Sequence, residues 1–118
     1  MVEPLAAGTL DGVSPAELAG AAGRAARLLR LMGHDGRLMI LCHLAESEQH
    51  VSALEAKLGL SQSALSQHLA RLRAEGLVTT RRAGQQIFYR LASPEAARIL
   101  AAVHELYCPA PATDAGPT

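Results

Sequence analysis

Ser61-Gln62-Ser63-Ala64-Leu65-Ser66-Gln67-His68-Leu69-Ala70-Arg71-Leu72-Arg73-Ala74-Glu75-Gly76-Leu77 is the stretch that decides the fold. It reads as one helix with two faces. Ala64, Leu65, Leu69 and Leu72 recur at the three- and four-residue spacing that turns one stripe toward a core. Ser63, Gln67 and Arg71 lie one turn apart on the other side. Ser and Gln hydrogen-bond to base edges or phosphate oxygens, and Arg pairs with guanine or phosphate, so this face suits a major groove. A plain solvated helix face would carry the same polarity without reading anything.

The flanking residues separate these readings. Val51 to Leu58 is a shorter helix with Val51, Leu54 and Leu58 on one side, and Gly59 stands where a helix end often needs positive φ. Ser61 then caps the next helix. Two helices joined by so short a glycine-containing turn make a helix-turn-helix, whose second helix reads DNA. Leu77 to Arg82 and Gln86 to Leu91, rich in Val, Thr, Ile, Phe and Tyr around Ala83-Gly84-Gln85, read as a β-hairpin wing. The wing makes an otherwise weak helix-turn-helix pattern specific.

Two more helical regions precede this unit and one follows it. Pro15 to Met32 begins with Ser14 as a cap and a proline fitted to the first turn, and carries Leu18, Ala21, Ala22, Ala25, Leu28, Leu29 and Met32. His34 to Ala45 turns Leu38, Leu41 and Leu44 inward, and Pro94 to Cys108 carries Ala97, Leu100, Ala101, Val103 and Leu106. The expected architecture is mainly α with a small wing, in the order α-α-α-α-β-β-α. The first and last helices hold more apolar surface than one small domain needs, which predicts a homodimer with its reading helices about 34–36 Å apart on successive major grooves.

At 118 residues the chain is one domain. Residues 15–108 are expected to form it, with flexible tails at 1–14 and 109–118. No apolar stretch is long enough to span a membrane and no signal segment is evident, so a cytoplasmic protein is expected. The formal net charge is zero, which is unusual for a DNA-binding protein. Its distribution resolves this: five basic and seven acidic residues in 1–60, five basic and one acidic in 61–90, one basic and three acidic in 91–118, or −2, +4 and −2. The positive charge sits on the reading helix and wing, where Arg81 and Arg82 are placed to contact a minor groove or backbone. A solvated strand edge is the other reading of those two arginines.

The order of helices and wing, with Ser61 to Leu69, Leu72, Gly76-Leu77-Val78 and Tyr89-Arg90-Leu91, resembles the ArsR/SmtB family of dimeric winged-helix repressors over roughly residues 16–108. The resemblance implies a repressor on an inverted-repeat operator in double-stranded DNA, released by an inducer. Expected DNA contacts are Ser61, Gln62, Ser63, Ser66, Gln67, His68, Arg71, Arg81 and Arg82. Many members sense metals, but their ligand patterns are poorly met: Gln49-His50-Val51-Ser52 stands where one site has Cys-x-Cys, and Ser93-Pro94-Glu95-Ala96 where another begins with Asp and His. No metal or other cofactor is expected.

The chain has instead two cysteines, Cys42 on the second helix and Cys108 at the end of the last. This arrangement resembles the persulfide-sensing SqrR/BigR-like branch, and the resemblance implies that Cys42 and Cys108 are sensor thiols linked through added sulfur by a persulfide or polysulfide inducer. Sulfide-detoxifying enzymes would be the regulated products. A plain buried Cys42 and an incidental Cys108 is the bland alternative. His43 beside Cys42, and His104 one turn before Cys108, are candidates to lower a thiol pKa. Three other readings remain open: a metal- or metalloid-responsive repressor using Cys42, Cys108 and His104, a general thiol-oxidation sensor, and a protein-binding winged helix. No paired-carboxylate, Ser/His/Asp or phosphate-loop constellation points to an enzyme.

Overall fold

The structure is a computed structural model and describes residues 12–108. Along the chain run α1 (Pro15–Met32), α2 (Asp35–Glu46), β1 (Gln49–His50), α3 (Val51–Leu58), α4 (Gln62–Ala74), β2 (Val78–Ala83), β3 (Gln86–Leu91) and α5 (Pro94–Tyr107). The expected helices and hairpin are present. Most of both expected tails lies outside the described residues, but Ser14 belongs to α1: its Oγ accepts from the Glu17 N–H at 3.0 Å and its own N–H donates to Glu17 at 2.8 Å. That reciprocal pair satisfies two donors at the helix start.

One element is new relative to the sequence reading. Gln49–His50 forms a short strand, so the hairpin is part of an antiparallel three-stranded sheet in the order β1-β3-β2, with Gln49 opposite Tyr89 and His50 opposite Phe88. Two residues are too few to show an alternating pattern, which is why the sequence hides it. Gln49 is buried yet satisfied: its Nε2 donates to the His43 carbonyl at 2.9 Å and its Oε1 accepts from Lys57 Nζ at 2.6 Å.

The core is one cluster between α2, α3, α4 and the sheet. Leu41, Leu44, Leu54, Leu65, Leu69 and Leu72 are buried, as the periodicity predicts, while Leu38, Val51, Leu58 and Ala64 are half-buried and Ile40 and Val78, which the periodicity does not single out, are fully buried. Gly59 ends α3 at φ 68°, with its N–H on the Glu55 carbonyl, and Ser61 Oγ accepts from Ala64 N–H at 3.1 Å to begin α4. The αL residue reverses the chain and the cap restarts it, so the angle between the two helices is locally specified. Gly84, at φ 64°, leads the two-residue hairpin turn, where a positive φ matches strand twist.

α1 and α5 contribute little to this core. Of α1 only Leu31 and Met32 are buried, while Leu18 and Leu29 are exposed; on α5 Ala96 and Leu100 are buried, while Leu106 and Tyr107 are 73% and 80% exposed. α1 is tied down at its C-terminal end, where Arg37 Nε donates to the Leu31 carbonyl at 2.6 Å. Arg27 joins α1 to the end of α4 through Glu75 at 2.8 Å.

Candidate nucleic-acid interface and thiol pair

The α4 face forms as its spacing dictates. With Leu65, Leu69 and Leu72 buried, Ser61, Gln62, Ser63, Ser66, Gln67 and Arg71 are all exposed. Ser63, Gln67 and Arg71 form a continuous polar row. Ser66 borders an open cleft of about 440 Å³ between α4 and the sheet, which Arg73 and Tyr89 also line. These last two are not singled out by the helix pattern, because only the fold brings β3 beside α4.

His68 stands apart from the other expected contacts. It lies at i+3 from Leu65 and i−4 from Leu72, on the edge of the apolar stripe, and is half-buried against the start of α2. Its ring centroid is 4.7 Å from that of His34. His34 caps α2, its Nδ1 accepting from the Gly36 N–H at 3.0 Å, and a Cβ on Gly36 would come within 3.0 Å of His68 Nε2. Burial, then the charges of His34 and Arg37, hold the His68 imidazole below its ordinary 6.5. His68 thus joins α4 to α2 rather than extending the polar row.

The wing arginines differ as well. Arg82 is exposed and makes no ion pair among the described residues. Arg81, expected to contact a minor groove or backbone, is held by Glu48: its Nε lies 2.8 Å from both carboxylate oxygens and its Nη2 2.7 Å from Oε1.

Cys42 and Cys108 are both free thiols, the first half-buried against the core and the second exposed. α2, which carries Cys42, packs on α5, which Cys108 ends. Burial pushes the Cys42 thiol up, with Cys108 and Glu46 adding to it. No histidine enters among the causes, so the expected lowering by His43 is replaced by a shift of the opposite sign: the ring adjoins Cys42 in sequence, but desolvation of the thiolate dominates. His104 is exposed, and its carbonyl accepts the Cys108 N–H at 3.0 Å. Among the described residues no group of three or more His, Cys, Asp or Glu is placed to hold a metal ion, so geometry gives no support to a Cys42, Cys108 and His104 site. Nor is any described helix long and apolar enough to cross a membrane.

Comparison with known proteins agrees with this geometry. The model for bacterial regulatory proteins of the arsR family matches residues 34–80. The transcriptional activator HlyU of Vibrio cholerae is 49% identical over 87 residues, covering 74% of this chain and 81% of that protein. The structure of reduced HlyU superposes with a TM-score of 0.76 at 46% identity, over 79% of this chain and 98% of that one. A biofilm growth-associated repressor of Xylella fastidiosa is 38% identical over 108 residues, 92% of this chain and 95% of that protein. The transcriptional repressor BigR from the same species has a solved structure with a TM-score of 0.75 at 39% identity, over 82% of this chain and 99% of that one. A homodimeric winged helix-turn-helix domain from Mycobacterium bovis gives 0.66 at 32% identity, over 81% and 88%. Helix-turn-helix, wing, exposed polar row and these likenesses lead to one conclusion: the chain belongs to the arsR family of bacterial transcriptional regulators.

Proposed function

We propose that this regulator is a homodimeric repressor that leaves its operator when Cys42 and Cys108 are linked through sulfur by a persulfide or polysulfide. The observation that carries the reading is the pairing of one half-buried and one exposed free thiol on two packed helices. Ser61, Gln62, Ser63, Ser66, Gln67 and Arg71 read or position the DNA from α4, and Arg82 supports them from the wing. The exposed apolar residues of α1 and α5, and the open cavity of about 740 Å³ between these helices that Leu28, Leu29 and Ile99 help to line, support a dimer seam there. The homodimeric state of the Mycobacterium bovis domain is in keeping with it.

The thiols divide the work. Cys108 is open to solvent and reacts first; Cys42, whose ionisation burial opposes, resolves the product. The Cys108 thiolate takes the outer sulfur of a hydropersulfide, releasing a thiol. The new Cys108 persulfide attacks the inner sulfur of a second hydropersulfide and expels hydrogen sulfide. Cys42 then attacks the central sulfur of that mixed trisulfide, and the second thiol leaves. Two protein thiols and two hydropersulfides thus yield one protein trisulfide, two small thiols and one hydrogen sulfide, the second hydropersulfide acting as oxidant. The bridge fixes α2 to the end of α5, which alters how the α5 helices pair and so the spacing of the reading helices.

A DNA-shift titration of the reduced protein, with persulfide, peroxide, zinc and arsenite in parallel, tests the reading. Release by persulfide and not by metal or metalloid is expected. Release by zinc or arsenite alone would replace it with the metal-responsive reading.

A further inference from the structure

One face of the sheet is organised around Arg81. Register places Arg81 opposite Phe88, and Phe88 opposite His50, so the three form a single row across β2, β3 and β1. The Arg81 guanidinium lies over the Phe88 ring at 4.7 Å from its centroid, and His50 meets the same ring edge-on at 5.4 Å. Glu48, immediately before β1, closes the row through both carboxylate oxygens. The adjacent row holds Arg90, whose Nε donates to Thr79 Oγ1 at 3.3 Å and whose charge also bears on Glu48. Arg82 points to the opposite face, together with Tyr89, which lines the cleft against α4.

We propose that Arg81 is a positioning residue that braces the wing to the β1 edge through Glu48 and Phe88, leaving Arg82 as the wing's phosphate ligand. This rests on the DNA-binding reading above and assigns its wing residues. A hairpin attached to the body at few points swings freely, and a bidentate guanidinium clamp stacked on an aromatic ring restrains it in the plane and across it. Glu48 has no part in the chemistry of DNA binding by itself: a carboxylate near phosphate repels it, so its removal should tighten binding by Coulomb's law alone. Weaker binding on its removal therefore identifies the mechanical role.

The test uses a labelled duplex selected by the parent protein from a random-sequence pool, with affinity measured over a range of salt. Glu48→Gln and Arg81→Gln should each weaken binding about two- to fivefold, the scale of one exposed ion pair, and the double variant no more than either. All three should keep the parent's salt dependence, whereas Arg82→Gln flattens its slope by about 0.9 for each phosphate that the arginine neutralises. Tighter binding by Glu48→Gln, or a flattened slope in Arg81→Gln, overturns the brace and makes Arg81 a phosphate ligand that Glu48 withholds. Unchanged affinity in either single variant overturns it too. Should the parent select no duplex, the DNA reading itself fails. The brace is then judged in the free protein, where faster hydrogen exchange of the β2 and β3 amides in both single variants supports it and unchanged protection ends it.

Discussion

On the proposed reading, Gln67 is the residue on which base recognition most depends. It is exposed at the centre of the row with Ser63 and Arg71, and its amide can donate and accept at once, which suits an adenine edge. Gln67→Ala should relax base preference at one position of each half-site at a cost of about 1–3 kcal/mol, read by comparing selected and randomised duplexes. Equal affinity of the parent for both would remove the premise. His68 plays a different part. Its pKa is depressed by burial first and then by His34 and Arg37, so protonation is resisted in the folded state. Stability from this contact is present above the ordinary value of 6.5 and is lost as pH falls through the folded pKa. Melting curves should show the parent losing stability on the acid side of that value and His68→Gln losing less; parallel pH profiles would refute the assignment. Cys42→Ser and Cys108→Ser should each leave DNA affinity within about twofold, since neither lies on the polar row, an expectation of the ordinary effect of distant surface changes.

At the scale of elements, legibility follows pattern length. α1 is legible with both its bounds, because a cap, a first-turn proline and a run of apolar residues all agree. α4 is equally plain, its leucines at helical spacing and its cap in place. β1 is not, since a two-residue strand is defined by pairing to β3 and has no period of its own. For the same reason the sequence does not single out Glu48 and Phe88, which Arg81 meets, or His50, which packs on Phe88: cross-strand neighbours are set by register, not by sequence distance. His68 reads as a groove contact only while its polarity outweighs its position on the stripe edge. The exposed leucines of α1 and α5 are surplus in the sequence already, and they locate the proposed seam. Leu106→Glu should remove about 1.5–3 kcal/mol of burial per leucine, raising the dimer Kd by more than about tenfold. Sedimentation should then show monomers with the fold intact by circular dichroism; an unchanged dimer would place the seam elsewhere.

At the scale of the whole molecule, the proposed reading joins a DNA-reading unit to the Cys42 and Cys108 thiols through α2 and α5. An inducer lowers DNA affinity only through free energy that differs between the two arrangements, and a hundredfold loss requires about 3 kcal/mol. A bridge between two packed helices supplies such a difference if it closes without strain in one arrangement only. A direct disulfide needs Cα atoms about 4.4–6.8 Å apart, and each inserted sulfur extends the reach by about 2 Å. On the proposed reading, which takes a sulfur-extended bridge to be the one that closes without strain, persulfide should switch the protein more readily than peroxide. The most direct measurement is intact-protein mass spectrometry on samples withdrawn during operator release, for the parent and both single-Cys variants. In the parent, release should keep pace with a Cys42–Cys108 crosslink heavier than a disulfide by one or two sulfur atoms, and neither Cys42→Ser nor Cys108→Ser should be released. Normal release by either variant, or a plain disulfide formed as fast with peroxide as with persulfide, would contradict it.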